Sequence, residues 1–205
     1  MCGIVGIVRN DKSDVDEALL GRMCAAIRHR GPDDDGFYVN GPVGLGMRRL
    51  AIIDLKSGQQ PIHNQDRTAW IVFNGEIYNY RELREKLEKL GHTFYTNSDT
   101  EAIVHAYDQY GADCPNHLRG MFAFAIWDER TQELFIARDR VGKKPLLYAQ
   151  VHGQFIFGSE FSALLQHPDI GKEIDFEALN QYLSFMCVPA PLTAYQAIRK
   201  LEPGH

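Results

Sequence analysis

The sequence has few cysteines, and none of them is paired at a metal-binding or redox spacing. The four cysteines stand far apart, at positions 2, 24, 114 and 187, and no C-x-x-C pair occurs. This spacing argues against a disulfide scaffold and against a cysteine-ligated zinc site. Because unpaired thiols are typical of reducing compartments, the sequence predicts a cytoplasmic protein.

Long apolar runs and tracts of one charge are also missing. The longest uninterrupted apolar stretch runs only from Met121 to Trp127, whereas a membrane-spanning helix needs about 20 such residues. The net charge is −5, with acidic and basic residues interspersed, so no basic tract is available for phosphates. The first residues also lack the charged and apolar regions of a secretion signal. We therefore expect no membrane partner and no nucleic-acid partner.

Metal ligands show no recognisable spacing either. The eight histidines include no i, i+4 pair on a predicted helix, and the segment from Cys114 to His117 is a weak metal motif that a packing role explains better. The Gly41–Gly46 run is the one candidate phosphate loop, and a hairpin between strands explains it better. The sequence therefore predicts no metal and no cofactor in this domain.

What the sequence does contain is a cysteine next to its first residue. Removal of Met1 would give Cys2 a free α-amine with a pKa near ~8 beside a thiol with a pKa near ~8.5. Such an amine can act as the base for its own nucleophile. Alternatively, Cys2 simply packs in a strand. A retained Met1 turns the Cys2 nitrogen into an amide, so the predicted activity applies to the chain that starts at Cys2.

Short strands separated by glycines dominate the pattern, with a few helices between them. Strand-like runs recur about every ten residues between Phe122 and Gly158, which favours antiparallel pairing. Strands are predicted at 1–8, 36–39, 44–53, 69–73, 122–127, 133–137, 146–148 and 155–157. Helices are predicted at 14–29, from Tyr80 to Gly91, from Ser98 or Asp99 onward, and at 161–166 and 176–183. Most of the fold is predicted to end near residue 160, before a proline-bearing connector at 187–192.

Several polar residues could complete a cysteine acyl-transfer site. Asn74 and the backbone N–H of Gly75 follow an apolar strand and could stabilise an oxyanion. Arg49 could bind a carboxylate in bidentate fashion, and Asp99 could accept hydrogen bonds from a substrate ammonium group. Each also has an ordinary structural interpretation, as a turn dipeptide, a surface ion pair and a helix cap respectively.

Seven motifs occur in an order that resembles one known family. They are MCGIVG (1–6), RHRGPDD (28–34), RLAIID (49–54), NGEIYN (74–79), SDTE (98–101), GMFAF (120–124) and RDRVGKKP (138–145). Together they resemble the glutaminase domain of class II glutamine amidotransferases, which are N-terminal-nucleophile hydrolases. Within that group the chain looks most like asparagine synthetases, and Glu160 and the tail 182–205 resemble the junction with their synthetase domain. Lys144 is expected at that junction rather than at the glutaminase site.

The resemblance implies a role for each candidate residue. Cys2 attacks the side-chain amide of glutamine and forms a thioester, while Asn74 and Gly75 stabilise the oxyanion. Arg49 holds the substrate α-carboxylate, and Asp99 holds its α-ammonium with help from Glu76. The implied glutamine-binding set is Arg49, Ile53, Asn74, Gly75, Glu76 and Asp99.

The resemblance also implies an architecture and partners. The expected fold is α+β, a four-layer α/β/β/α sandwich of two antiparallel sheets. Residues 1–165 would form the glutamine amidotransferase domain, and residues 166–205 a helix and connector leading to a C-terminal synthetase domain that uses ATP and Mg²⁺. A homodimer is compatible with these residues. Two alternatives stay open: the same glutaminase serving another amide-forming synthetase, and a non-catalytic interaction module.

Overall fold

Two antiparallel sheets form the centre of the molecule. The computed structural model describes residues 1–51, 53–54 and 57–205. One sheet has the strand order β10-β8-β9-β1-β3-β2 and the other the order β4-β5-β6-β7. The strands are β1 Gly3–Arg9, β2 Asp34–Asn40, β3 Val43–Arg49, β4 Ile62–His63, β5 Ala69–Ile77, β6 Gly120–Asp128, β7 Glu133–Arg138, β8 Leu147–Val151, β9 Gln154–Gly158 and β10 Arg199–Lys200.

Helices cover the outer face of each sheet. The helices are α1 Glu17–Ala26, α2 Tyr80–Lys89, α3 Asp99–Tyr110, α4 Phe161–Leu164 and α5 Phe176–Phe185, with short 3₁₀ segments at Arg28–Arg30 and Gly111–His117. Helices α1 and α4 pack on the six-stranded sheet, whereas α2 and α3 pack on the four-stranded sheet. Within the described residues, none of these helices combines the length and apolarity that a membrane crossing requires.

Side chains that alternate along the central strands form the apolar contacts between the layers of the fold. Successive side chains of a strand point to opposite faces. On β6 the phenylalanines and the isoleucine at positions 122, 124 and 126 face the α2–α3 layer, whereas positions 123, 125 and 127 face the other sheet. Three buried clusters therefore separate four layers, which confirms the predicted α/β/β/α sandwich.

The structure corrects two predicted strand boundaries. The strand predicted to reach Ile53 ends at Arg49, because the chain turns back and the backbone oxygens of Ile53 and Asp54 accept hydrogen bonds from the Arg49 side chain. Residue 52 of that prediction lies outside the described residues. The strand predicted to end at Phe73 continues to Ile77, pairing with β6 over its whole length. Asn74 and Gly75 therefore lie in a strand and not in a turn.

The segment after residue 165 packs against the domain and adds one strand to it, although the other nine strands in the described part of the chain all end before residue 160. Its strand β10 pairs with β8 and so extends the six-stranded sheet. Ile198 is fully buried, and the Thr193 hydroxyl lies 2.9 Å from the backbone oxygens of Tyr195 and Ile198. The connector thus contributes core residues, and the division at residue 165 stays a prediction.

Candidate active site

One cavity of about 470 Å³ lies where β1 begins, where β3 ends and where β5 approaches the first turn of α3. It brings together residues that are far apart in the chain, from Cys2 to Lys144. All seven residues predicted for catalysis or glutamine binding line it: Cys2, Arg49, Ile53, Asn74, Gly75, Glu76 and Asp99.

The Cys2 thiol is held at the beginning of a central strand. β1 lies between β3 and β9, so Cys2 is adjacent to the end of β3. The backbone N–H of Leu50 donates to Sγ at 3.4 Å, and Sγ lies 3.6 Å from the Leu50 carbonyl oxygen. The side chain remains half-buried and lines the cavity. The strand register thus fixes the nucleophile beside Arg49.

Asn74 lies directly against the Cys2 backbone. With its amide oriented to satisfy both neighbours, the Asn74 nitrogen donates to the Cys2 carbonyl oxygen at 3.0 Å, and its oxygen accepts from Arg30 at 3.3 Å. Asn74 is buried. Since a side-chain amide nitrogen carries two hydrogens, one of them can serve the Cys2 carbonyl while the other serves an oxyanion.

Arg30 is a residue of the site that sequence reasoning did not single out. Its Nε donates to the Cys2 carbonyl oxygen at 2.8 Å, and its Nη1 donates to Glu160 at 2.8 Å. Burial opposes ionisation of Glu160, but Arg30 and His29 outweigh it and hold the pKa of Glu160 below its usual value. The RHRGPDD motif contained this arginine, yet the motif alone does not reveal that the guanidinium is buried beneath the nucleophile.

Arg49 is buried at the cavity wall and is not a surface ion pair. Its Nη2 donates to the carbonyl oxygens of Ile53 and Asp54 at 3.1 and 2.6 Å. These contacts orient the guanidinium and, among the residues that the structure describes, use two of its five N–H donors. The arrangement leaves Arg49 able to bind a carboxylate.

Asp99 is the first residue of α3, but it is not the helix cap. Ser98 is the N-cap and accepts a hydrogen bond from the Thr100 N–H at 3.2 Å. Asp99 instead accepts one from the Ile77 N–H at 3.0 Å, at the end of β5. Burial raises the pKa of Asp99 to about 6, and the nearby charge of Glu76 adds to this rise. At neutral pH Asp99 is therefore an ionised carboxylate at the cavity wall.

Lys144 lies in this cavity, whereas the sequence-based expectation places it at a domain junction. It is buried, and it lines the cavity together with Cys2. Burial and the nearby charge of Arg30 lower the pKa of Lys144, whereas Cys2 acts in the opposite direction. Its Nζ lies 3.3 Å from Sδ of Met1. The lysine therefore adds positive potential where a thiolate and an oxyanion would form.

We expect Asp99→Asn to stabilise the fold and to weaken the binding of an ammonium group in the cavity. Because the pKa of Asp99 in the folded state is raised, its ionisation destabilises the protein as pH rises through about 6. The substitution should therefore raise the free energy of unfolding by roughly 2–3 kcal/mol at pH 8 and by much less at pH 4. Denaturant unfolding at the two pH values measures this difference. An equal effect at both would contradict a buried, ionised Asp99.

Gly75 is required by the close approach of β6. A Cβ at this position would lie 2.2 Å from the Met121 backbone oxygen and 2.8 Å from Phe122 Cα. We expect Gly75→Ala to lower the free energy of unfolding by about 1–3 kcal/mol, as overpacking does. The matched control is Gly21→Ala in α1, where a Cβ meets nothing within 4 Å and should stabilise the helix by about 0.5–1 kcal/mol. Equal effects in thermal unfolding would refute the steric argument.

Comparison with known proteins decides the family. The model of a glutamine amidotransferase domain matches residues 1–205. The chain belongs to this glutamine amidotransferase family. It is 48% identical to asparagine synthetase [glutamine-hydrolyzing] 1 of Bacillus subtilis, over all of this chain and 33% of that protein. It is 43% identical to asparagine synthetase [glutamine-hydrolyzing] 1 of Arabidopsis thaliana, over 69% of this chain and 24% of that protein.

Solved structures support the same fold. The glutamine phosphoribosylpyrophosphate amidotransferase of B. subtilis superposes with a TM-score of 0.68 at 23% identity, covering 80% of this chain and 43% of that one. A structure described as the allosteric regulatory enzyme of purine biosynthesis gives a TM-score of 0.70 at 22% identity, over the same shares. The amidotransferase domain described here spans only about a third of the length of its asparagine synthetase relatives.

Proposed function

We propose that this domain hydrolyses the side-chain amide of glutamine to glutamate and ammonia. The observation that carries the proposal is the shared cavity: a thiol, a buried amide, a buried guanidinium and a buried carboxylate face one space. Arg49 suits an α-carboxylate, and Asp99 suits an α-ammonium. The groups therefore complement both ends of an amino acid whose side chain reaches Cys2.

The chemistry follows from these positions once Met1 is removed. The α-amine takes the thiol proton, and Sγ of Cys2 attacks the amide carbon of glutamine. Asn74, with the N–H of Gly75, stabilises the oxyanion. The tetrahedral intermediate collapses, the amine returns the proton to the leaving nitrogen, and ammonia departs. Water then cleaves the thioester, releasing glutamate and restoring the thiol.

The proposal extends to the molecule that receives the ammonia. Since the relatives named as asparagine synthetases are about three times as long as this chain, we propose that a further domain uses ATP and Mg²⁺ to prepare the acceptor, in a cytoplasmic enzyme. Aspartate is the acceptor that those names favour. A different amide-forming synthetase remains the alternative, and the gene sequence beyond the codon for His205 would distinguish the two.

An apolar face on α5 supports a further domain. Phe176, Leu179 and Leu183 follow one another at i, i+3 and i+7 on one side of α5 and are each at least 44% exposed. Exposed apolar side chains that share one side of a helix are typical of interaction sites. The helix lies in the segment that resembles a domain junction. We therefore assign this face to the additional domain rather than to a second copy of the chain.

Hydrogen exchange on the complete gene product tests this assignment. We expect amides of residues 176–186 to exchange more slowly in the longer protein than in the 205-residue chain, because docking buries them. Amides of α1, which packs on β1 and β3 rather than on β10, serve as the control and should exchange at the same rate in both proteins. Equal exchange of 176–186 in both proteins would contradict the docking, and concentration-dependent protection in the short chain would point to a homodimer.

A glutamine-analogue electrophile separates the glutaminase from the non-catalytic module. The processed domain should become modified on Cys2 alone, with free glutamine slowing the reaction, and it should release glutamate from glutamine. Peptide mass analysis locates the adduct. Failure of Cys2 to react, or reaction that glutamine does not slow, would refute the proposal and favour an interaction role.

A further inference from the structure

Two histidines face each other on the far side of the α3 layer, outside the glutaminase cavity. Nδ1 of His92 and Nδ1 of His105 lie 3.3 Å apart. With one ligand atom taken from each residue, His92, His105 and Asp108 lie within 4.8 Å of one another. His105 is fully buried, and His92 and Asp108 are partly buried. Three groups of metal-ligating type therefore converge at one place that solvent can reach.

Hydrogens on the outer nitrogens of both rings would leave the two facing Nδ1 atoms, 3.3 Å apart, without a proton to share. Nε2 of His92 lies 3.1 Å from the side-chain oxygen of Gln109, which favours a hydrogen on that nitrogen. Nε2 of His105 lies 3.5 Å from Oε1 of Glu101, which favours a hydrogen there too, although it makes no hydrogen bond within the described residues. In the neutral rings, two Nδ1 lone pairs then point at each other. A cation between them removes that repulsion.

The spacing suits a tetrahedral divalent ion. Zinc binds histidine nitrogen at about 2.0–2.1 Å, and the edge of such a tetrahedron is about 3.3–3.4 Å, which matches the distance between the two Nδ1 atoms. Glu101 and Gln109 lie behind the rings, as the hydrogen-bonding partners of metal-bound histidines do. Imidazole with one carboxylate favours zinc and similar late transition metals over Mg²⁺ or Ca²⁺.

Asp108 can complete the ligand set while keeping its present contacts. Its Oδ1 accepts hydrogen bonds from Asn64 and from Arg130, at 3.0 and 2.9 Å. A carboxylate has a second oxygen with free lone pairs. Arg130 also pairs with Asp128 at 2.8 Å, so its charge is shared between two carboxylates.

We propose that His92, His105 and Asp108 form a binding site for one zinc-type transition-metal ion. The site is independent of the glutaminase proposal, since none of the three residues lines the Cys2 cavity. Local histidine spacing predicts no metal here, because His92 precedes α3 and His105 lies within it. The ion would fasten the loop after α2 to the middle of α3.

A titration with Zn²⁺, monitored by isothermal calorimetry, tests the site. The background is the Cys2→Ala, Cys187→Ser chain, so that neither accessible thiol binds the metal. We expect one Zn²⁺ per chain, and Co²⁺ in its place should give the visible spectrum of a tetrahedral site. His92→Asn and Asp108→Asn should each raise the Zn²⁺ dissociation constant at least about tenfold.

His117→Asn is the matched control. His117 also has an aspartate neighbour, Asp113 at 3.6 Å, but it lies outside the cluster, so this variant should bind zinc unchanged. Circular dichroism checks that each variant folds. Absence of a one-to-one complex in a folded chain, or equal affinity in the His92 and His117 variants, would overturn the proposal. A proton shared between the two rings, seen by nitrogen NMR with no response to zinc, would also overturn it.

Discussion

Cys2→Ala is expected to reduce glutamine hydrolysis by about 10⁴–10⁶-fold in kcat, the range seen when a catalytic residue of a covalent mechanism is removed. The physical reason is that no other thiol can take its place. Cys24 and Cys114 are fully buried, and burial raises the pKa of each to about 12, while Cys187 does not line the cavity. A coupled assay of glutamate release from glutamine measures this loss of kcat.

The matched control is Cys187→Ala. Cys187 is free and exposed, so its removal changes the thiol content without touching the cavity, and activity should be unchanged. A second comparison uses the chain that retains Met1, in which the nitrogen of Cys2 is an amide and cannot act as a base. Activity that survives Cys2→Ala, or that is the same with and without Met1, would contradict the mechanism.

Asn74→Ala is expected to cause the second large loss of kcat. Removing one oxyanion donor costs about 10²–10³-fold in kcat, and here the substitution also removes the hydrogen bond to the Cys2 carbonyl. The Michaelis constant for glutamine should change much less, because the substrate's α-carboxylate and α-ammonium are bound by Arg49 and Asp99 in this proposal. Steady-state kinetics separates the two parameters.

Asn79→Ala provides the comparison for Asn74. Asn79 belongs to the same NGEIYN motif, and its amide also makes two hydrogen bonds, to the His117 oxygen and from the Arg119 N–H. It does not line the cavity. We therefore expect a loss of stability in Asn79→Ala with kcat nearly unchanged. An equal fall in kcat for both variants would mean that Asn74 acts only through folding.

Local sequence was sufficient for most elements of the fold. The apolar spacing of Tyr80, Leu83 and Leu87 predicted α2, and Gly91 predicted its end, because helix periodicity and termination depend on neighbouring residues. Strand ends were harder to predict. β3 stops at Arg49 because its side chain binds backbone oxygens of the following loop, and β5 continues through Asn74 because β6 pairs with it.

The sequence by itself determined which chemical groups the site contains and the family to which the chain is similar, because seven short motifs carry them in order. Only the tertiary structure decided which of these groups meet. Long-range strand pairing places Cys2 beside Arg49, and burial raises the pKa of Asp99 and lowers the pKa of Lys144. Arg30 beneath the nucleophile and the facing pair of His92 and His105 likewise depend on contacts between residues far apart in the chain. Local spacing cannot report them, since proximity in a folded chain is created by packing.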